Sequence, residues 1–142
     1  EEIARDKKGV HNSYCSPDDI NAIDWSLKAD NLDLFAYYQG LISMRKSHPA
    51  FHMGDADLVR KNVHFLEAPE GVVAYQLNGE AVGDEWKTII VILNSKLSTI
   101  NYQLPKGEYH VAVADGKCPA AAQGLLKGSA KVAAQSAMVL YL

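Results

Sequence analysis

A run of β-branched residues in the second half of the chain, TIIVI at 88–92, is the strongest fold signal in the sequence. β-Branched side chains favour extended backbone, and an apolar run without alternation is typical of a strand that is buried on both faces. We therefore predict a central strand over 87–93. Its apolar part, Ile89–Leu93, is much too short to cross a bilayer.

Segments with alternating apolar residues surround this run and predict further strands. They are 62–67, 72–77, 100–104, 109–113 and 137–142. The turn sequence PEG at 69–71 makes the first two a hairpin, whereas the Ala- and Gly-rich segment 117–130 fits a loop or a short irregular strand equally well. Six or more short strands at close spacing predict a mainly β fold, an antiparallel β-sandwich.

Residues 33–47 predict one long helix before these strands. Asp30, Asn31 or Asp33 can cap its start, and Pro49 prevents its continuation past His48. Its apolar residues recur at a spacing of three to four and form a stripe, made up of Leu34, Phe35, Tyr38, Leu41 and Ile42.

This apolar stripe has to be covered in the folded protein. Burying one Leu-sized side chain is worth about 1.5–3 kcal/mol, so exposure of the whole stripe is unfavourable for a monomer. We expect the stripe to pack on the β-sandwich or, through self-association, on a second copy of the chain.

Residues 1–30 show no sustained periodicity and contain the polar stretch NSYCSPDDINAIDW at 12–25. Its carboxylates, amides and hydroxyls donate and accept hydrogen bonds, while Tyr14 and Trp25 offer flat apolar faces. That combination suits a sugar. A segment of this length without structure of its own indicates either a functional loop or one that has lost its support, although a plain connector is the commoner role for a polar loop.

Three segments follow one another in a distinctive order: RDKKGVHNSYCSPDDINAIDWS at 5–26, FAYYQGLISMRKSHPAF at 35–51 and GDEWKTIIVILN at 83–94. The first resembles a passage near the end of the catalytic barrel in pullulanase-type starch-debranching enzymes of the α-amylase superfamily. The second is similar to the last barrel helix of that family, and the third resembles its C-terminal β-domain. The resemblance covers essentially the whole chain.

The resemblance implies two parts. Residues 1–51 are the end of a (β/α)8 barrel, comprising the loop after strand 8 and the last helix, and residues 52–142 are a C-terminal antiparallel β-sandwich. Loops at this end of a barrel form the substrate site. Within the loop, the resemblance implies contacts to α-glucan by Asn12, Tyr14, Asp18 and Asn21. Cys15 stands where the family usually has Asn, and no sugar contact is assigned to it.

The resemblance also implies a function for the parent protein, hydrolysis of α-1,6-glucosidic branch bonds in pullulan, starch or glycogen. The family's catalytic carboxylates lie on earlier barrel strands, so no catalytic residue is assigned and the chain is expected to be inactive alone. The acidic residues Asp18, Asp19 and Asp24 are poor evidence for an acid–base pair, because closeness in sequence does not set the required separation. An independent carbohydrate-binding module and a structural β-domain stay open as alternatives.

The charge composition of the chain limits the kinds of molecule that it can be expected to bind. The net charge is −3 without a basic cluster, which argues against nucleic acid and against an anionic membrane. The predicted partner is therefore α-glucan, bound through the parent enzyme, and the sequence carries no readable address that would assign a localisation.

No cofactor and no metal ion are predicted. His11, Cys15, Asp18 and Asp19 match no closed zinc pattern. Oxygen ligands in the same loop suit calcium better, but the regular spacing of an EF-hand is missing. Cys15 and Cys118 lie far apart in sequence and are expected to be free thiols.

Overall fold

The computed structural model describes all 142 residues, and six strands form one antiparallel sheet. The strands are β1 (Val63–Phe65), β2 (Val72–Asn78), β3 (Thr88–Asn94), β4 (Ile100–Val113), β5 (Leu125–Val132) and β6 (Ser136–Tyr141). Their order in the sheet is β1-β2-β3-β6-β4-β5. Neighbouring strands are antiparallel throughout, so the predicted fold class is confirmed.

The predicted central strand is β3, which pairs with β2 on one side and with β6 on the other. Ile89, Ile90 and Ile92 are fully buried, because their alternating side chains meet an apolar cluster on each face of the sheet. Only Leu93, near the end of the run, departs from the prediction and is 41% exposed.

β4 is one strand of 14 residues where the sequence predicted two. Its pairing with β5 shifts between Gln103 and Glu108, around Pro105, which has no N–H to donate. In the first half of β4, the hydroxyl of Tyr102 donates to the backbone oxygen of Glu67 over 2.8 Å. Glu67 follows β1, which is the edge strand of the sheet farthest from β4 and β5 in the strand order. The sheet therefore curls over, and a single sheet supplies both layers of the sandwich.

The curled sheet encloses a cluster of 12 buried residues, to which β2 through β6 all contribute. A second cluster of seven buried residues lies on the opposite face of the sheet. Residues from the helical part of the chain pack against this second cluster, so the helix and the sheet share a core.

Four helices precede or flank the sheet: α1 (Asp18–Asn21), α2 (Leu27–Asp30), α3 (Leu32–Ser47) and α4 (Ala56–Asn62). The predicted helix over 33–47 is confirmed as α3. α4 was not predicted, because residues 52–142 were all assigned to the β-sandwich. The Asp55 carboxylate caps α4 by accepting from the N–H groups of Asp57 and Leu58. None of the helices combines the length and the apolar character that a membrane span requires.

α3 packs on the sheet through a face adjacent to the predicted stripe. Tyr37, Leu41 and Met44 contact the second cluster, whereas Ile42 is 57% exposed. Of the predicted stripe, Leu41 contacts this cluster and only Ile42 is exposed, while the other members are half-buried. Gly40 also lies on this side of the helix, and a Cβ atom there would lie only 2.0 Å from the backbone oxygen of Cys118. Because glycine has no side chain, the helix backbone can approach the backbone of Cys118 closely at this position.

β5 forms an open edge of the sheet and resolves the undecided segment 117–130. Residues 119–124 are irregular, and the strand begins at Leu125. Lys127 and Lys131 are exposed on this edge, and Gly128 has a φ of +76°. Both readings of the segment were thus correct for part of it.

Candidate functional site

The N-terminal segment, residues 1–31, is a surface loop with a defined backbone. Lys8 and Gly9 have φ angles of +51° and +75°, and the N–H of Val10 donates to the carbonyl of Lys7 over 3.0 Å. This tight turn redirects the chain just before the polar stretch at 12–25. Glycine adopts such angles without steric cost.

Asn21 organises the polar stretch from within. Its side-chain amide donates to the backbone oxygens of Ser13 and Ser16, each over 2.8 Å. Lys7 Nζ donates to Ser13 Oγ over 2.6 Å and approaches Asn21 Oδ1 at 3.4 Å. The geometry therefore makes Asn21 a loop-positioning residue, and its predicted direct contact with sugar stays a prediction.

Two further side chains connect distant parts of the segment to one another. The Arg5 guanidinium donates to the backbone oxygens of Asn21 and Ala22. Asn31 Nδ2 donates to the carbonyl of Leu27 over 2.8 Å and lies 3.3 Å from that of Ile3. These bonds stabilise the segment internally, and Lys28 Nζ, 4.2 Å from the ring centroid of Phe35, contacts the start of α3.

The outer side of the loop presents two aromatic side chains to solvent. Tyr14 is 89% exposed and Trp25 is 70% exposed. Asn12 Oδ1 accepts from the backbone N–H of Tyr14 over 3.2 Å, and Asp18 lies exposed in the first turn of α1. Asn12, Tyr14 and Asp18 are therefore accessible to a ligand.

Asp24 shapes the loop around Trp25. Its Oδ1 accepts from Ser26 Oγ over 2.6 Å and from the backbone N–H of Ser26 over 2.9 Å. These two hydrogen bonds, the hydroxyl first, lower the pKa of Asp24 below its usual value. A carboxylate held in its charged form by donors is suited to orienting the loop rather than to giving up a proton.

A second polar constellation joins the end of α3 to the sheet. His48 Nδ1 lies 2.7 Å from Asp84 Oδ1, and Asp84 Oδ2 accepts from the N–H of Ala50 over 3.0 Å. Oδ1 also accepts from the N–H of Trp86 over 2.9 Å. The side chain of Asp84 is fully buried, so one carboxylate connects the residues after α3 with the turn before β3.

Burial raises the pKa of Asp84, but the hydrogen bonds from His48, Ala50 and Trp86 outweigh it, and the net shift is downward. Asp84 is therefore ionised at neutral pH. A buried carboxylate is stable only with several donors, and this one has three.

Four rings continue from this pair and form an aromatic column. His48 stacks on Trp86 with 3.6 Å between ring centroids, Trp86 on Tyr141 at 3.9 Å, and Tyr141 on His110 at 5.1 Å. Both faces of the Trp86 ring are thus occupied by protein rings. The column connects the end of α3 with β6 and β4.

This constellation was not predicted from the sequence, because no role was assigned to His110 or Asp84 and His48 was named only as the end of a helix. Two signals were available. His48 precedes a proline that ends a helix, and Asp84 stands two residues before a tryptophan in a turn. Neither signal shows that the two segments meet, since they are 36 residues apart.

The cysteines are free thiols, as predicted, with Cys15 exposed and Cys118 half-buried. Burial raises the pKa of the Cys118 thiol. His, Cys, Asp and Glu side chains do not come together in groups of three or more at which a metal ion could bind.

Comparison with known proteins shows that the chain is similar to part of several pullulanases. The family described as "Pullulanase, all-beta domain" matches residues 59–117. A pullulanase of Bacillus subtilis (strain 168) is 38% identical over 105 residues, which are 74% of this chain and 15% of that protein. The chain therefore spans about 15% of the length of this curated relative.

Solved structures of the same family cover nearly all of the chain. A pullulanase from Bacillus acidopullulyticus superimposes with a TM-score of 0.94 at 36% identity, covering 99% of this chain and 17% of the other. Pullulanase type I from Bacillus subtilis, in complex with maltose, superimposes with a TM-score of 0.90 at 32% identity over 99% of this chain and 20% of the other. The match includes the N-terminal segment as well as the sheet.

Proposed function

We propose that this chain, which belongs to the pullulanase-type family of the α-amylase superfamily, is part of a glycoside hydrolase that cleaves α-1,6 branch bonds in pullulan, starch or glycogen. The likeness to pullulanases over 99% of the chain supports this proposal. The parent enzyme acts on the branch bond, and this chain contributes one wall of the substrate cleft and a β-domain.

The proposed division of labour assigns residues 1–51 to the end of the catalytic barrel and residues 52–142 to the β-domain. Tyr37, Leu41 and Met44 of α3 pack against the same cluster as the sheet residues. This shared cluster is consistent with a structural role for the β-domain, in which it holds the last helix of the barrel in place. The N-terminal segment is positioned in turn by the start of that helix.

The observation that carries the proposed sugar contacts is the construction of the loop. Asn21 and Arg5 fix its backbone from inside, while Tyr14 remains 89% exposed. An exposed aromatic ring on a fixed backbone can stack on a pyranose at low cost in entropy. Asn12, Tyr14 and Asp18 contact α-glucan directly in this proposal, and Asn21 contributes by holding the loop and through its remaining acceptor.

The chain alone is proposed to be inactive. A glycosidase needs two carboxyl groups on either side of the scissile bond, one of them kept protonated by apolar surroundings. Asp18 and Asp19 are exposed to water, and the hydrogen bonds to Asp24 favour its charged form.

Two measurements test the function. Incubation of the chain with pullulan should release no reducing sugar, and release would contradict the proposed inactivity.

The second measurement concerns binding. Maltotriose should weakly perturb the amide NMR signals of residues 12–21, because the rest of the cleft is absent. Tyr14→Ala should remove the perturbation, whereas Phe65→Ala, at an aromatic residue of β1 that is 77% exposed, should leave it unchanged.

The alternative function, an independent carbohydrate-binding module, draws support from the exposure of both Tyr14 and Trp25. It requires tight binding by the chain alone. Calorimetry with maltotriose separates the two functions, since micromolar affinity supports the module and millimolar affinity supports the cleft wall.

Self-association through α3 is proposed for the apolar side chains of this helix that turn away from the sheet, one of them from the predicted stripe. Leu32 is 60% exposed and Ile42 57% exposed on this helix. Sedimentation velocity at several protein concentrations should show a dimer that Ile42→Lys dissociates. A monomer at every concentration would rule out self-association.

A further inference from the structure

A cavity of about 420 Å³ lies between α3 and the irregular segment that follows Cys118. It is separate from the N-terminal segment, which contributes no residue to it. Its volume falls within the range of about 300–1,000 Å³ that is common for small-molecule sites.

One wall of the cavity is polar and comes from α3. Gln39, Ser43 and Ser47 line it and recur every four residues, which places them along one face of the helix. All three residues are exposed to solvent, and their side chains form no hydrogen bond with the protein. His48 ends this row, and its Nε2 is left without a protein partner because Asp84 occupies Nδ1. From Gln39 to Ser47 the row is about 12 Å long at 1.5 Å per residue.

The opposite wall is apolar and formed by small residues. Ala112 and Pro119–Ala122 line it, together with the rings of Trp86 and Tyr141. Because protein rings already stack on both faces of Trp86, only ring edges are left for a ligand. A flat aromatic ligand would therefore find no free face on Trp86.

We propose that this cavity binds a short α-linked glucan, with the sugar hydroxyls toward the row from Gln39 to His48 and the C–H surface toward Pro119–Ala122. A linear chain of hydroxyls matches the row of unpaired donors and acceptors, and a pyranose is apolar across its ring. The proposal rests on the proposed function for the choice of α-glucan, and it adds a second site outside the cleft loop.

The chain's two tryptophans report on the two sites separately, since Trp86 lines the cavity and Trp25 lies in the N-terminal segment. In a Trp25→Phe chain, titration with maltotriose should change the Trp86 emission in a saturable manner. Cellotriose, its β-linked counterpart, should have a much smaller effect, and an equal response to both sugars would overturn the proposal.

Substitutions inside and outside the cavity complete the test. Ala121→Phe fills the cavity and should abolish the Trp86 response, whereas Ala134→Phe, at an exposed alanine elsewhere, should not change it. Ser43→Ala and Ser47→Ala should each weaken binding by about two- to twelvefold, the range expected for one hydrogen bond.

The same titrations separate this proposal from the proposed function. If Trp86 stays silent up to the solubility of maltotriose while Trp25 of the native chain responds, the cavity site is disproved and the loop contacts stand. If Trp86 responds and residues 12–21 do not, the cavity site stands and the loop contacts fail.

Discussion

The N-terminal segment and the sheet are held together by different interactions. Of the 25 buried residues, Ile3 is the only one within residues 1–31, while the sheet contains most of the others. The segment keeps its shape through side chains that donate to backbone carbonyls, above all those of Asn21, Arg5 and Asn31. The sheet is stabilised by apolar burial on both faces.

This difference separates the region that contributes most to the free energy of unfolding from the region that is accessible to a ligand. A loop fixed by a few hydrogen bonds can expose Tyr14 and Trp25 without losing its shape, but it contributes little to the free energy of unfolding. The sheet contributes most of that free energy and exposes few groups that could bind a ligand. The two regions should therefore respond differently to mutation.

The same substitution in both regions gives the largest expected contrast. Ile92→Ala, at a fully buried position, should lower the free energy of unfolding by about 2–5 kcal/mol. Ile23→Ala, where the side chain is 45% exposed, should cost less than about 1 kcal/mol. Urea denaturation measures both. Equal losses would show that the N-terminal segment belongs to the cooperative core.

Asp84→Asn tests the buried link between the end of α3 and the sheet. It replaces a carboxylate that accepts from three donors, and we expect a loss of about 2–4 kcal/mol at neutral pH. The pKa of Asp84 is lowered in the folded state. Its stabilising effect is therefore complete above the unfolded pKa of about 3.9 and lost as the pH falls through the folded pKa.

The stability difference between the native chain and Asp84→Asn should consequently shrink at acidic pH. Urea denaturation from pH 7 to pH 3 measures it. A difference that is constant over this range would contradict the assignment of Asp84 as the ionised acceptor.

Gly40→Ala probes the closest approach of α3 to the segment after β4. The new Cβ atom would lie 2.0 Å from the oxygen of Cys118, so the helix has to shift, and we expect a loss of about 1–3 kcal/mol. Gly54→Ala is the matched control because nothing lies within 4 Å of its Cβ position. Thermal unfolding compares the two. A stabilised Gly40→Ala chain would show that helix propensity outweighs the contact.

Asn21→Ala should have the smallest effect on global stability, less than about 1 kcal/mol, and the largest effect on the loop. Loss of the bonds to Ser13 and Ser16 should speed amide hydrogen exchange across 12–21. Asn12→Ala, which removes one bond to the Tyr14 N–H, serves as control and should change exchange less. Unchanged exchange in Asn21→Ala would mean that other contacts hold the loop.

Much of the fold could be predicted because its signals are local. The run at 88–92 identified the central strand, and the helix at 33–47 was bounded by Pro49. The contacts of that helix with the sheet were predicted only in part, since the close approach of Gly40 to Cys118 joins residues distant in sequence. The curl of the sheet was also out of reach, because it depends on the bond between Tyr102 and Glu67.

The candidate sites divide in the same way. The N-terminal segment was recognised from contiguous residues, and its resemblance to a family supplied the interpretation. The aromatic column was not predicted, because Trp86, Tyr141 and His48 come from three separate segments. The cavity beside it depends on how α3 lies against the segment after β4, which no local pattern determines.

The composition of β5 has a consequence for concentrated solutions of the protein. An open edge strand can pair with the same strand of another molecule and so begin aggregation. Lys127 and Lys131 would bring like charges together in such a pairing, and Gly128, with a φ of +76°, interrupts the regular backbone that a partner strand needs. The residues of β5 therefore disfavour the addition of a strand from a second molecule at this edge of the sheet.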